Sequence, residues 1–253
     1  MASLRIVQIT DTHLSPRHQN ATDRFDAIVR EVNLDPPDLV VNTGDIVLED
    51  PDDVVDRDFA RSLHRGFTAP VVAIPGNHDI GESGWTPWNG PLITEARRQA
   101  FAAIWGGDRF VIDHDGWRLI GVNAQLISGP LAEAEAEHDE WLTRALRGAD
   151  HVALFVHKPV RLHTHDEPGL SLESPGRERL LASLTAAPVR LVASGHLHRY
   201  RVAFDHHYGW LEVWGPSSVY ANDIGPDGSQ PISGYLEYVL EPDGRVEVRL
   251  IEP

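Results

Sequence analysis

The chain has 253 residues, 42% hydrophobic and 24% charged, which is enough apolar material for a packed globular core. A formal net charge of −16 argues against sequence-independent binding to a nucleic acid duplex, because that needs a basic surface to displace counterions from phosphates. The absence of cysteine excludes disulfides, thiolate zinc sites and cysteine nucleophiles, so any metal must be held by His, Asp, Glu, Asn and water.

The opening MASLRIVQITD has only a short apolar run, without the hydrophobic region of a signal peptide, and no segment reaches about 18 apolar residues. A cytoplasmic location without a membrane partner is expected. The first strand is predicted over Leu4 to Thr10, running out into Asp11 and His13. Thr22 to Asn33 reads as a helix, with Thr22 as the capping candidate and Phe25, Ile28, Val29 and Val32 as its apolar stripe. A strand over Asp38 to Gly44 leads to Asp45, a helix covers Asp53 to Leu63, and a strand over Pro70 to Gly76 leads to Asn77, His78 and Asp79. The irregular stretch Ile80 to Pro91 carries Trp85 and Trp88, which suit either the wall of a substrate pocket or a clasp holding the loop down.

After a helical pattern from Ile93 to Trp105, an Asp-Gly turn splits Arg109 to Ala124 into a hairpin. Leu131 to Leu146 is helical, its acidic run Glu133 to Glu140 forming the solvent face while Trp141 and Leu142 pack inward. A strand over His151 to His157 is followed by the irregular Lys158 to Pro175. There Arg161, His163 and His165 either meet a substrate or belong to a solvated polar loop. A helix over Gly176 to Leu184 precedes the strand Val189 to Gly195, which leads into His196 and His198. The rest reads as antiparallel strands around turns at His206-His207 and Asp243-Gly244, with an irregular loop from Pro216 to Pro231 between them. The β-α-β rhythm and near-continuous apolar strands predict an α/β protein with a largely parallel sheet covered on both faces, extended by antiparallel strands or by a second stacked sheet. With no linker or internal repeat, residues 1–253 read as a single domain.

Five strand ends share one chemistry: TDTH, TGD, PGNHD, FVH and SGHLH. Parallel neighbours place them along one sheet edge, where open α/β sheets bind ligands. Taken singly, each has an ordinary explanation as a turn residue, a helix cap or a satisfied core histidine. Together they gather carboxylates, an amide oxygen and imidazoles with no compensating run of Lys or Arg, which is costly unless a cation orders them. Divided between two ions with one carboxylate bridging, they give about four protein ligands each and leave room for water. Such a pair can generate a hydroxide and clamp the oxygens of a displacement at phosphorus.

In order, DTH, GD, GNHD, H and GHLH resemble the motif series of the calcineurin-like metallophosphoesterase superfamily. Within it, ITDTHL and GHLHR look most like the class III cyclic-nucleotide and glycerophosphodiester phosphodiesterases. The resemblance implies a four-layer αββα sandwich, two stacked mixed β-sheets flanked by helices, in agreement with the mixed texture above. It implies one ion on Asp11, His13, Asp45 and His198, and another on Asp45, Asn77, His157 and His196, the ions being Mn, Fe, Zn or Co. It also implies that a hydroxide held by the ions attacks phosphorus in line. His78 then acts as a catalytic residue that stabilises the transition state or protonates the leaving oxygen, and Asp79 orients or polarises it. The substrate is a small phosphodiester of cyclic-nucleotide or glycerophosphodiester type, with phosphomonoesters or nucleotides as the alternative.

Two departures separate the chain from sister branches: Leu48 stands where purple acid phosphatases carry Tyr, and GDIVLED replaces the Gly-Asp-x-Val-Asp-Arg-Gly of protein serine/threonine phosphatases. A third touches the class III assignment, since HKPV places Lys158 where many members have a second His. A catalytically silent scaffold on this fold is expected to lose ligands or His78, and this chain keeps all of them. The net charge disfavours a duplex nuclease. The sequence leaves the oligomeric state open, a homodimer being compatible with it.

Overall fold

The computed structural model describes residues 2–162, 168–223, 225 and 228–253, so His163 and His165 lie outside the described residues. Eleven strands form two mixed sheets. The first is built from β1 (Leu4–Ile9), β2 (Leu39–Asn42), β3 (Val71–Ala73), β10 (Tyr235–Leu240) and β11 (Val246–Ile251), in the order β11-β10-β1-β2-β3. The second contains β4 (Phe110–His114), β5 (Trp117–Val122), β6 (His151–Val156), β7 (Val189–Ser194), β8 (Arg201–Asp205) and β9 (Trp210–Trp214), in the order β4-β5-β6-β7-β9-β8. β1, β2 and β3 run parallel, as do β5, β6, β7 and β9, while β10, β11, β4 and β8 pair antiparallel.

Side-chain alternation explains why these strands carry apolar residues on both faces. Leu4, Ile6, Leu39 and Val41 point between the sheets, meeting Leu119, Ala153, Phe155, Leu191, Ala193 and Val213. The alternate residues Val7, Ile9 and Val40 face outward onto Phe25, Ile28, Val32, Ala60 and Phe101 of α1 (Gln19–Val32), α2 (Val54–His64) and α4 (Glu95–Trp105). On the other side Val152, Leu154 and Val156 pack against Leu142, Ala145, Leu180 and Leu184 of α5 (Ala132–Ala145) and α6 (Gly176–Thr185). Four layers result, helix, sheet, sheet, helix, as expected.

Helix ends follow their local chemistry. Asp53 caps α2 by accepting from the N–H groups of Val55 and Asp56, and Thr94 caps α4 through Arg97 N–H. Thr22 does not cap α1: the helix begins three residues earlier, and the Thr22 hydroxyl donates to His18 O from inside it. The single edge foreseen for the five strand ends is also corrected. The ends of β1, β2 and β3 belong to one sheet and those of β6 and β7 to the other, so the residues after them meet across the top of the sandwich.

Candidate metal centre

The loop after β1 is laced to the loop after β2. Asp11 N–H donates to Gly44 O at 2.9 Å, His13 N–H to Asp45 O at 3.1 Å and Leu14 N–H to Ile46 O at 2.8 Å. From the other sheet, His196 N–H donates to Asp11 Oδ2 at 2.9 Å. Gly195 is required by this approach, since a Cβ there would fall 2.0 Å from Thr10 Oγ1 and 2.6 Å from Asp11 Oδ2. Gly76 is required for the same reason, a Cβ falling 2.2 Å from Asp45 Oδ1. The glycines that follow β7 and β3 thus let these loops close on Asp11 and Asp45.

Two groups of donor atoms converge there. Ligand atoms of Asp11, His13 and His198 all lie within 4.8 Å of one another, and so do those of Asp45, His157 and His196. His13 Nε2 and His198 Nε2 are 3.0 Å apart, His198 Nε2 is 3.4 Å from Asp11 Oδ1, and His157 Nε2 is 3.3 Å from Asp45 Oδ2. Asn77 brings its Oδ1 to 3.1 Å from His157 Nε2. All seven residues expected as ligands are therefore in one place. Apart from His196, which is half-buried, they are buried.

Backbone carbonyls set the direction of the rings. His13 Nδ1–H donates to Leu48 O at 3.1 Å and His157 Nδ1–H to Thr43 O at 2.8 Å, which turns both Nε2 atoms inward. His196 is reversed: its Nε2–H donates to Gly169 O at 2.8 Å, leaving a buried Nδ1 with no partner among the described residues. Burial drives His13 down to about 4 and His196 well below its ordinary value, so both rings are neutral and carry a free lone pair. Burial also opposes charge on His157, but the adjacent Asp45 carboxylate outweighs it and raises that ring to about 9. Asp11 and Asp45, pushed up by burial, are held low by the histidines beside them. The charged His157 ring points its Nε2–H at the oxygens of Asn77 and Asp45, and a metal cation would take the place of that proton. Hard oxygen and imidazole donors of this kind fit divalent or trivalent transition ions.

Five of the seven residues have left-handed backbone: Asp11 (φ 50°), His13 (43°), Asp45 (51°), His196 (70°) and His198 (53°). That region costs a non-glycine residue on the order of 1–2 kcal/mol, and such strain concentrates where geometry serves chemistry.

His78 stands apart from the ligands. It belongs to the short α3 (Asn77–Ile80), and its backbone N–H donates to Asp45 Oδ1 at 2.8 Å. Its Nδ1–H donates to Leu48 O at 2.9 Å, sharing that carbonyl with His13, and its Nε2 lies 3.9 Å from Asp45 Oδ2. Burial lowers its pKa, but Asp45 and Asp79 outweigh that and raise it above the ordinary imidazole value. The His78 side chain is 30% exposed and lines the pocket over the centre. Asp79 makes no hydrogen bond to it. Its Oδ1 accepts from Ile46 and Val47 N–H and its Oδ2 from Gly76 N–H, stapling the loops after β2 and β3 together. A hydrogen bond that orients His78, the role foreseen for Asp79, is made by the Leu48 carbonyl; burial and the neighbouring Asp45 raise Asp79 to about 7, and in its ionised form it raises the His78 ring.

The pocket, about 330 Å³, is lined by His13, Asp45, Asn77, His78, His196 and His198, with Trp88, Leu170, Tyr220 and Asn222 around them. Neither lysine nor arginine lines it among the described residues. Lys158 is buried against Glu82, and Arg161 pairs with Asp205 while its guanidinium lies over the Tyr208 ring, so Arg161 is not a pocket residue. Trp88 walls the pocket, whereas Trp85 lines a separate groove with Pro168, Leu172 and Arg177.

Tyr220 and Asn222 were not singled out from the sequence. The Tyr220 ring lies 4.7 Å from that of His198 and 5.4 Å from that of His13. Asn222 N–H donates to His198 O, and Arg199 donates to the carbonyls of Asn222, Asp223 and Ser229. The only signal in the sequence was the irregularity of the loop that holds them. His64, left without a partner in the sequence, is a buried brace: its Nδ1–H donates to Ala60 O and its Nε2 meets the Asn42 amide, whose oxygen accepts from Gly44 N–H below Asp45.

Residues 4–200 match the family model described as calcineurin-like phosphoesterase. The chain is 28% identical over 214 residues to the 3′,5′-cyclic adenosine monophosphate phosphodiesterase CpdA of Escherichia coli (strain K12), covering 78% of this chain and 70% of that one. It is 30% identical over 177 residues to the serine/threonine-protein phosphatase CPPED1 of Mus musculus, covering 64% of this chain and 54% of that one. Among solved structures, a dimetal phosphatase from Danio rerio superposes with a TM-score of 0.69 at 13% identity, over 100% of this chain and 98% of that one, a likeness of fold alone.

Proposed function

The chain belongs to the calcineurin-like phosphoesterase family, a family of metal-dependent hydrolases, and from that premise we propose that it hydrolyses a small phosphodiester on a two-metal centre. One ion would be held by Asp11, His13, Asp45 and His198, and the other by Asp45, Asn77, His157 and His196. The observation that carries this reading is the convergence of two donor groups, Asp11–His13–His198 and Asp45–His157–His196, with rings already turned by backbone carbonyls. The placing of Asp45 as the bridge is supported by its electrostatic reach: beyond its contact with His157, its charge is the strongest of those acting on His13. When bound, the two ions supply a nucleophilic hydroxide and neutralise the phosphoryl oxygens.

The chain's own residues do the rest. With no lysine or arginine among the described residues of the pocket, its side chains orient the ester and leave its charge to the ions. His78, raised towards the imidazolium form and facing the pocket, holds a proton at Nε2 for the departing alcohol. Asp79, through its three backbone bonds, keeps the loops that carry Asp45 and His78 in register. Strands β10 and β11 lie beyond the family match yet flank β1 in its sheet, which supports treating residues 1–253 as one catalytic domain.

The resemblance to a cyclic-nucleotide phosphodiesterase favours a diester, and the phosphatase among the relatives keeps a phosphomonoester as the second reading. Purified protein reconstituted separately with Mn, Zn, Fe and Co decides between them on a panel of aryl diesters and monoesters, cyclic nucleotides and glycerophosphodiesters. Metal-dependent hydrolysis with diesters ahead of monoesters is expected. No metal-dependent hydrolysis of any phosphoester refutes the reading.

The assignment of ligands to separate ions has its own test. His196→Ala and His198→Ala each lower the metal content from two ions per chain to one. Adding His13→Ala to the His198 variant removes nothing more, whereas adding it to the His196 variant takes the remaining ion. Metal stoichiometry by mass spectrometry reads both outcomes, and equal losses in the two double variants contradict the assignment.

A further inference from the structure

Lys158 and Glu82 form an ion pair of 2.8 Å with side chains only 1% and 2% exposed. Replacing a buried pair of this kind by apolar residues of similar volume is often neutral or stabilising, so stability alone does not account for it. Its geometry suggests another role. The second oxygen of Glu82 accepts the indole N–H of Trp88 at 2.7 Å, and Glu82 is tied through its backbone to Pro91 and Ile93, which closes the loop carrying Trp88. The far edge of the indole rests on Gly169, where a Cβ would fall 2.7 Å from Trp88 Cη2. Gly169 O in turn holds the His196 ring, whose centroid is 6.4 Å from that of Trp88. Despite these restraints Trp88 remains 46% exposed, with the indole on the pocket.

We propose that Trp88 is the specificity-determining wall of the site, stacking on a planar group of the phosphoester, and that the Glu82–Lys158 pair is the positioning device that holds it there. The inference depends on the phosphoesterase reading above and adds the class of organic group selected. Two phosphoesters of equal charge look alike to the ions, and no described lysine or arginine lines the pocket to separate them. Discrimination then falls to the uncharged walls of the pocket, among which Trp88 beside His196 offers the largest aromatic face. A nucleobase has the flat face that such a surface stacks on, and base–aromatic stacking alters binding by about tenfold or more.

The test compares two competitive inhibitors, adenosine 5′-monophosphate and ribose 5-phosphate, which share the phosphate and sugar and differ in the base. Inhibition is read against hydrolysis of bis(p-nitrophenyl) phosphate by the Mn-loaded protein. Adenosine 5′-monophosphate is expected to bind at least about tenfold tighter. Trp88→Ala brings the ratio of the two constants to within about twofold, and Trp88→Phe, which has no N–H for Glu82 to hold, loses most of it as well. The double variant E82L/K158M keeps the parent's Tm and both ions, and loses the ratio as Trp88→Ala does, because the indole has lost its brace. Equal inhibition of the parent by the two compounds overturns the proposal while leaving the phosphoesterase reading intact. A ratio unchanged in Trp88→Ala also overturns it, and a ratio unchanged in E82L/K158M removes the ion pair from it. A parent that hydrolyses no phosphoester at all overturns the underlying reading instead.

Discussion

Asp45→Asn is expected to abolish phosphoester hydrolysis and to strip the protein of metal at both proposed positions. The carboxylate belongs to one donor group and acts by its charge on the other. Its Oδ2 is 3.3 Å from His157 Nε2, its Oδ1 accepts the His78 N–H, and its charge acts on His13. An amide has the same shape but carries no charge, and one of its two ends becomes a donor. Turned one way, its NH2 opposes the His78 N–H; turned the other, it takes up the His157 lone pair that a cation needs. Loss of a group that merely supports a metal ligand costs about 10–100-fold in affinity or activity, and a ligand shared by two ions exceeds that range. Metal analysis and kcat/KM on the same preparation check the claim. An Asp45→Asn protein that retains two ions and turns over normally is incompatible with a bridging role.

His78→Ala separates chemistry from metal binding. The contact between residue 78 and Asp45 Oδ1 is made by the backbone N–H, which alanine keeps, and the ring is not among the converging donors. Both ions therefore stay, and kcat falls by roughly 10²-fold or more, the size of effect expected for losing a general acid or a transition-state contact. The loss depends on the leaving group. An alkoxide needs a proton as it departs and suffers fully, whereas p-nitrophenolate leaves unaided and suffers less. A plot of log kcat against leaving-group pKa should be steeper for the variant than for the parent. Equal losses across the series assign His78 to charge stabilisation alone, and full activity removes it from the mechanism.

The ligand blocks were legible because each follows an apolar strand, and a strand end is where a parallel sheet displays what it carries. The helix and strand positions came through to within a few residues for the same reason, a period of two or 3.6 written over a whole segment. What escaped was made by the backbone or by distance. Leu48 reads as an ordinary apolar residue, yet its carbonyl holds two histidines, and any residue has a carbonyl. Asp79 looked like a partner for the ring beside it in sequence, but three N–H groups from the loops after β2 and β3 claim its carboxylate. Tyr220 reaches His13 across more than two hundred positions, on a loop with no periodic pattern. The division of five strand ends between two sheets was hidden because parallel strands in either sheet have the same texture.

The left-handed ligand residues bear on how this chain can change over time. Asn, Asp and His are the non-glycine residues found most often in that region, so two of the side-chain types that can hold an ion are also among those that bear this backbone at least cost. A β-branched replacement at Asp11, His13, Asp45, His196 or His198 would add backbone strain to the loss of a donor atom, whereas glycine would remove the donor and fit the backbone. The backbone therefore narrows which substitutions each of these positions accepts before coordination is considered at all.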